Sequence, residues 1–196
     1  MQPTEKTRVK RGPKRATYDT EAIYAILDEA FICHIGGTIE GAPVVQPNLH
    51  WRIGNKLYIH GSVKNGLIRS ILQSGQTCIT VSLMDGLVMA KSAFHHSVNY
   101  RSVMVFGKPV IVEDPSKKIA VLDALLEKCM KGRSKEARAA NDIELKATTV
   151  IEIAIDEASA KIRTGGPIDD PEDEALPIWA GVLPCETRWG DAITYP

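Results

Sequence analysis

Apolar residues recur at helical spacing in three parts of the chain. Ile23, Ile26 and Leu27 would share one side of a helix, and Asp19 just before them has the side chain of an N-cap. Asp114-Pro115 also opens a helical pattern, since aspartate caps free N–H groups and proline is tolerated at the first helical position. The predicted helices cover residues 19–30, 64–73 and 114–131.

Between the helices, short runs rich in β-branched and aromatic residues predict strands. The predicted strands cover residues 31–35, 43–53, 56–60, 77–84, 87–92, 100–113 and 149–155. The expected interruptions are a break at Gly36-Gly37, reversals at Glu40-Gly41 and Gly54-Asn55, a hairpin at Asp85-Gly86 and a bulge at Gly107. Because strict β-α-β alternation is absent, the pattern predicts a mainly β (α+β) fold, a closed or split antiparallel barrel with peripheral helices.

Composition and charge exclude several classes of protein. Hydrophobic residues make up 44% and charged residues 24% of the chain, and the formal net charge is zero. A neutral chain has no overall field that would attract nucleic acid or a membrane surface. No apolar stretch approaches the ~20 residues that span a bilayer, and the N-terminus lacks the apolar core of a secretory signal. We therefore expect a cytoplasmic protein with neither a nucleic-acid nor a membrane partner.

The ends of the chain differ from its middle. Residues 1–16 contain six Lys or Arg and almost no apolar side chain, which predicts a flexible basic arm. Residues 17–163 carry the barrel pattern. Residues 164–196 are irregular and rich in proline, yet they keep Trp179 and Trp189, so this segment is expected to pack on the barrel or on a partner chain.

The four cysteines offer no site for chemistry. They are widely spaced and form no CxxC pair, which argues against a zinc ribbon, a thioredoxin-type centre and a disulfide scaffold. Buried free thiols are the expected state, and no metal site is predicted.

A phosphate-binding pattern stands where a strand runs into a helix, at residues 57–66. Ser62 supplies a hydroxyl and Lys64 a full charge at a helix N-terminus, whose free N–H groups attract anions. Ser62 is equally suited to be an N-cap, so both roles stay open. Arg101, at the start of a later strand, either pairs with the same phosphate or is a solvated edge residue.

Read together, these segments resemble the pyridoxamine-phosphate-oxidase-like flavoproteins. In that family a Ser-Arg-Lys motif holds the FMN phosphate, and the corresponding residues here are Ser62-Val63-Lys64, without the arginine. A later family strand begins with Arg-Gln, where this chain has Arg101 followed by Ser102. The sequences LYIHGS, NYRSV and VEDP are most similar to the nitroimidazole-resistance (Nim-type) branch.

The resemblance implies a split barrel of the FMN-binding type and a homodimer with flavin sites at its interface. His60 and residues 46–49 would contact the flavin ring or ribityl chain, whereas Trp179 either covers the site or packs across the dimer. The residues expected to bind the cofactor are Gln46, Pro47, Asn48, Leu49, His60, Gly61, Ser62, Lys64, Asn65, Ser97, Arg101, Ser102 and Trp179.

The resemblance also implies a redox function. An FMN-dependent oxidoreductase acting on a small planar substrate is the preferred hypothesis, because the flavin would supply the chemistry and no catalytic side chain is required. The arginines and C-terminal segment that serve pyridoxamine-phosphate oxidation have no match here. The alternative is a non-catalytic flavin- or haem-binding protein. FAD could replace FMN. Haem is also conceivable, because some relatives bind it through histidine. Adjacent His95 and His96 could serve in this way, or they could simply be solvent-exposed loop residues.

Overall fold

Ten strands and five α-helices are present in residues 1–195, which are those that the computed structural model describes. The strands are Ala16–Thr17 (β1), Ile32–Ile39 (β2), Ala42–Ile53 (β3), Lys56–Ser62 (β4), Thr77–Met89 (β5), Ser97–Gly107 (β6), Pro109–Ile111 (β7), Thr148–Ala154 (β8), Glu157–Arg163 (β9) and Gly181–Pro184 (β10). The helices are Thr20–Glu29 (α1), Gly66–Ser74 (α2), Pro115–Cys129 (α3), Arg133–Glu136 (α4) and Asp142–Ala147 (α5). One-turn 3-10 helices occupy Pro13–Arg15 and Ala93–His95.

The strands form one antiparallel sheet in the order β1-β9-β6-β5-β2-β3-β4-β8-β7, and β10 adds to β5. The path begins at β1 and ends at β7 without closing, as in an opened, split barrel. The predicted mainly β fold with a split antiparallel barrel and peripheral helices is confirmed. The alternative of a closed barrel is wrong.

Contacts divide the chain into two units, which we describe separately. The first unit comprises residues 1–82 and 102–161, and the second comprises residues 83–101 and the chain from residue 162 onward. The irregular tail predicted from residue 164 thus belongs with residues 83–101. Within the second unit β10 pairs with the end of β5, placing Gly181 opposite Met89 and Pro184 opposite Gly86. Whether residues 17–163 form an independent domain stays a prediction.

The two helix starts that were predicted from an aspartate N-cap are correct. The Asp19 carboxylate accepts a hydrogen bond from Ala22 N at 2.8 Å and caps α1. The Asp114 carboxylate accepts from Lys117 N at 2.6 Å and caps α3, whose first residue is Pro115. Both helices therefore begin where a side chain satisfies N–H groups that the first turn leaves free.

Two predicted interruptions of strands are wrong. The Asp85-Gly86 hairpin does not form, because β5 continues through it and pairs with β10; a Cβ on Gly86 would lie 2.7 Å from Leu183 O, so only glycine admits β10 there. The Gly36-Gly37 break is also absent. A Cβ on Gly37 would lie 2.6 Å from Leu67 Cδ1, so this glycine lets α2 pack directly on β2.

The pattern also missed β1, β9 and β10. The strand predicted at residues 149–155 is followed by β9, which pairs with β1. Residues 1–16, predicted as a flexible basic arm, include one buried polar side chain, Thr7. Its carbonyl accepts a hydrogen bond from Tyr18 Oη at 3.3 Å, and the same Oη accepts from Val9 N at 3.0 Å. One tyrosine hydroxyl thus supplies backbone partners that a charged segment lacks by itself.

Helix α3 packs on β3, β4 and β8 over an apolar cluster with one charged contact. The cluster consists of Trp51, Tyr58, Val112, Val121, Leu125 and Val150. Beside it, the Glu152 carboxylate accepts hydrogen bonds from Tyr58 Oη at 2.8 Å and Lys117 Nζ at 2.7 Å, and lies 3.1 Å from Lys56 Nζ. Burial alone would raise the pKa of Glu152, but these hydrogen bonds outweigh it and lower the pKa to about 2.

Replacing Glu152 by glutamine should remove an acid-sensitive part of the stability. A carboxyl pKa depressed from 4.5 stabilises the fold above that pH, and this contribution is lost as the pH falls towards 2. Because the lysine partners are partly exposed, we expect a loss of about 1–2 kcal/mol at pH 7. Urea unfolding at pH 7, 5 and 3 measures it, with Glu136→Gln as an exposed control. Equal pH dependence in the variant and the wild type would contradict this assignment.

Candidate functional site

The junction between β4 and α2 contains the predicted phosphate-binding residues. Asn65, not Ser62, caps the helix, because Asn65 Oδ1 accepts from Ile68 N at 3.1 Å. The Ser62 carbonyl accepts from Asn65 N at 2.9 Å, and Ser62 Oγ accepts from Lys64 N at 3.2 Å. The N-cap alternative for Ser62 is therefore wrong. Its hydroxyl stays on the exposed rim of the helix start.

The same junction carries an unmatched positive charge. Lys64 is exposed, and within residues 1–195 its ammonium group has no hydrogen bond or ion pair. The first turn of α2 also leaves the N–H groups of Gly66 and Leu67 without intrahelical acceptors. An ammonium group, a hydroxyl and a helix N-terminus in one short segment suit an anion such as a phosphate.

Side-chain amides connect this junction to β3. Asn65 Nδ2 donates to Gln46 Oε1 at 3.3 Å, and Asn48 Nδ2 donates to His60 O at 2.8 Å. Pro47 and Leu49 lie on the same strand, opposite His34 and Ile32 of β2. Gly61 has a packing role, since a Cβ there would lie 2.6 Å from Ile68 Cδ1. The structure therefore brings together the predicted residues of β3, β4 and α2.

His60 offers a polar atom without a partner. Its ring packs against Trp51, with centroids 5.7 Å apart. His60 Nδ1 and Trp51 Nε1 are both buried and have no hydrogen-bond partner within residues 1–195. Burial lowers the pKa of His60, which keeps the imidazole neutral at pH 7. Buried polar atoms without hydrogen-bond partners are unusual in a folded chain. Two such atoms on neighbouring rings are consistent with a bound group that would supply the missing partners.

The remaining predicted residues lie on β6 and in the tail. Arg101 binds the Asp85 carboxylate through Nε at 3.0 Å and Nη2 at 2.7 Å, so a phosphate at Arg101 would have to share it with Asp85. Ser97 is half-buried in the second unit, and Ser102, in the first, donates to Lys161 O at 3.3 Å. Trp179 is 62% exposed in the second unit.

The histidines occupy distinct environments. His50 is a core residue that donates from Nε2 to Leu27 O at 2.9 Å, and burial lowers its pKa to about 4. His95 Nε2 lies 3.1 Å from Asp170 Oδ2. His96 is exposed and its Nδ1 lies 2.9 Å from Ser92 O, whereas His34 is exposed on β2. No motif in the sequence indicates that the Ser92 carbonyl is the hydrogen-bond partner of His96.

Other sources of chemistry are not evident in the part of the chain that the structure describes. No group of three or more His, Cys, Asp or Glu side chains there is arranged to hold a metal ion. Cys33 is buried, and burial raises its thiol pKa to about 12, so it is unreactive near neutral pH. No helix in residues 1–195 has the length and apolar character needed to cross a membrane.

Comparison with known proteins identifies the family. A profile described as pyridoxamine 5'-phosphate oxidase matches residues 19–162. The chain belongs to the pyridoxamine 5'-phosphate oxidase family. The matched residues include every predicted cofactor-binding residue from Gln46 to Ser102. They do not include Trp179, which lies in the tail. No curated protein matches the chain.

Solved structures of similar proteins add detail about this family. The flavocytochrome Anf3 from Azotobacter vinelandii is 39% identical, with a TM-score of 0.94 over 99% of this chain and 90% of its own. An FAD and heme binding protein from Mycobacterium smegmatis is 34% identical, with a TM-score of 0.88 over 93% and 89% of the two chains. A Bacteroides thetaiotaomicron protein assigned to 5-nitroimidazole antibiotic resistance is 26% identical, with a TM-score of 0.64 over 75% and 86%.

Proposed function

We propose that this protein binds a flavin nucleotide at the junction of β4 and α2 and acts as a flavin-dependent oxidoreductase on a small planar substrate. The observation that carries the proposal is the free ammonium group of Lys64 beside Ser62 at the start of α2. Flavin phosphates need a positive charge and N–H donors, and this segment offers both. The flavin would supply the redox chemistry, and the protein would bind, orient and shield it.

The polar atoms near the junction fit the rest of a flavin nucleotide. Gln46 and Asn48 present amide groups from β3, and His60 Nδ1 and Trp51 Nε1 are buried without partners within residues 1–195. A flavin ring edge and its ribityl chain carry several hydrogen-bonding groups that would satisfy such atoms. FMN is the flavin predicted from the sequence motif, and FAD is favoured by the relative from M. smegmatis.

We also propose that the protein holds haem. Two relatives more than 30% identical to the chain are a flavocytochrome and an FAD and heme binding protein. Haem iron needs an imidazole with an accessible nitrogen, which excludes buried His50. His34 and His96 are exposed and meet this requirement. Haem together with flavin would let the protein exchange single electrons as well as pairs.

A homodimer is part of the same proposal. The outward face of β2 and β3 in the first unit carries exposed apolar side chains around His34, with Ile32 48% and Val45 67% exposed. Pro47 and Leu49 lie on this face, whereas the proposed flavin contacts Gln46 and Asn48 alternate with them along β3 and project from its other side. A second copy covering this face would remove its apolar side chains from water.

Replacing Lys64 by alanine tests the flavin site. Loss of a charge-assisted contact should weaken binding of FMN and FAD by about tenfold to 100-fold, and leave riboflavin, which lacks a phosphate, almost unaffected. Quenching of flavin fluorescence measures all three affinities, and Lys135→Ala, another exposed lysine, is the control. An equal loss for riboflavin would show that Lys64 does not contact the phosphate. A wild type that binds no flavin would refute the site itself.

The same titrations separate the remaining alternatives. The flavin with the lower dissociation constant is the one that the site prefers. An oxidoreductase loaded with it should be reduced by a nicotinamide or deazaflavin donor without oxygen and reoxidised by an acceptor. A storage or sensing protein would bind the oxidised flavin and show no such cycle.

A further inference from the structure

We propose that His96 Nε2 is a ligand of the haem iron, an assignment that rests on the haem part of the proposed function. His96 belongs to the second unit and directly follows the 3-10 turn Ala93–His95. Its ring is exposed, and Nε2 has no hydrogen-bond partner within residues 1–195. The tautomer of the ring, the rigidity of its loop and its apolar neighbours support this assignment.

The hydrogen bond at Nδ1 fixes the tautomer that binds iron. His96 Nδ1 lies 2.9 Å from Ser92 O, and since a carbonyl only accepts, Nδ1 carries the proton. The lone pair of the neutral ring is then on Nε2, directed away from the backbone. Histidines that bind metals usually donate their other N–H to a carbonyl or carboxylate in this way, which orients the ring and strengthens the ligand.

The loop that carries His96 is held at several points. Ser92 O also accepts from His95 N at 3.2 Å, and Ser92 Oγ accepts from Phe94 N at 3.2 Å. The Asp169 carboxylate accepts from Lys91 N at 2.8 Å and from Ser92 N at 3.3 Å. The ring therefore has its orientation before any cofactor arrives, which lowers the entropy cost of binding.

Two exposed apolar side chains lie in the segments that form this loop, and one of them, Phe94, packs its ring edge-on against His95, with centroids 5.2 Å apart. Phe94 is 88% exposed, and Ile168, which precedes Asp169 and so lies by the same loop, is 74% exposed. A porphyrin is a large apolar disc, and contact with its face would remove both side chains from water.

The other histidines lack one or more of these features. His95 Nε2 is occupied by Asp170 at 3.1 Å, and His50 Nε2 by Leu27 O at 2.9 Å. The unpartnered Nδ1 of His60 is buried against Trp51. His34 is exposed, but nothing in the described chain fixes the orientation of its ring. His96 is thus the histidine best oriented to bind haem iron. His34 is the alternative ligand, and His95 serves as a control next to His96 in the sequence.

Haem titration of the purified protein tests the assignment. The probe is hemin, followed by its Soret band, for the wild type, His96→Gly, His96→Gln, His34→Gly and His95→Gly. We expect both His96 variants to lose the wild-type Soret position and to bind hemin at least about tenfold more weakly. His95→Gly and His34→Gly should resemble the wild type. Added imidazole should restore the wild-type spectrum to His96→Gly, because a free ligand can occupy the space of the deleted ring.

The possible results test the assignment of His96 and the binding of haem separately. If the wild type and both His96 variants show the same spectrum, the ligand assignment is wrong and haem binding stands. If His34→Gly alone loses the spectrum, the iron is bound from the first unit and the assignment to His96 is refuted. A wild type that binds no hemin overturns both the haem proposal and this assignment. Flavin affinity and circular dichroism of each variant show that the fold is intact.

Discussion

Replacing Arg163 by methionine should lower the free energy of unfolding of the second unit by about 3 kcal/mol. Arg163 ends β9 and is only 7% exposed. It donates from Nη1 to Asn99 Oδ1 and from Nη2 to Gly166 O at 3.1 Å, and Asn99 Nδ2 donates to Gly165 O at 3.0 Å. Methionine fills a similar volume but leaves these oxygens without their donor.

The large effect follows from the absence of a carboxylate partner. All the acceptors of Arg163 are neutral, and no acidic side chain in residues 1–195 forms an ion pair with it. A buried cation is tolerated only where hydrogen bonds replace its hydration, so each of these bonds contributes more than an exposed one. Arg163→Lys should recover part of the loss, because an ammonium group cannot reach both sides as the planar guanidinium does.

Urea unfolding and limited proteolysis measure the effect. We expect Arg163→Met to be cleaved early within residues 164–176, the chain that follows the lost contacts. Arg188→Met is the control, because Arg188 is exposed and pairs only with nearby Glu186, at 2.6 Å. Exposed pairs contribute at most about 1 kcal/mol. If both variants are equally stable, the hydrogen bonds of Arg163 do not hold Gly165 and Gly166 in place.

The sequence predicts a structure correctly where the cause of that structure lies within a few residues. Asp19 and Asp114 cap their helices by bonds to N–H groups three residues away. The charge and hydroxyl of Lys64 and Ser62 were placed correctly at a helix start for the same reason. Only the identity of the cap was missed, because Ser62 and Asn65 are both good N-caps and sequence alone does not rank them.

Prediction from the sequence fails where a distant segment overrides a local preference. Asp85-Gly86 has a strong hairpin preference, but Leu183 and Pro184 arrive from the tail and hold it extended. The ion pair between Asp85 and Arg101 depends on that extended conformation and could not be predicted without it.

Strand β9 failed to appear in the pattern for another reason. It carries small residues such as Ala158 and Ala160, which are weak strand formers, and it is held in the sheet between β1 and β6.

The histidine loop shows the same limit in the candidate site. In the sequence, His95 and His96 are adjacent and nothing distinguishes them as haem ligands. Both were expected to lie in a solvent-exposed loop. Asp169 lies in the tail, yet it fixes the backbone at Ser92, whose carbonyl orients His96. Asp170, one residue further on, occupies Nε2 of His95. Two consecutive acidic residues of the tail therefore make the two histidines chemically different, which no local pattern contains.

Replacing Trp51 by alanine should cost about 3–5 kcal/mol of stability, whereas Trp51→Phe should cost less than about 1.5 kcal/mol. Trp51 is 1% exposed and stacks on Tyr58 with ring centroids 5.9 Å apart, beneath α3. Alanine leaves a large cavity in this cluster. Phenylalanine keeps an aromatic ring and removes the Nε1–H, which is buried without a partner within residues 1–195.

The comparison of the two variants bears on function as well as stability. Urea unfolding followed by far-ultraviolet circular dichroism measures both without relying on tryptophan fluorescence. A Phe variant as unstable as the Ala variant would contradict this small cost, because phenylalanine would then lose either packing or an acceptor that Nε1–H has outside the chain. Repeating the measurement with FMN or FAD added distinguishes lost packing from a lost flavin acceptor. An extra loss that appears only with flavin places Trp51 and the adjacent His60 ring, 5.7 Å away, at the flavin itself.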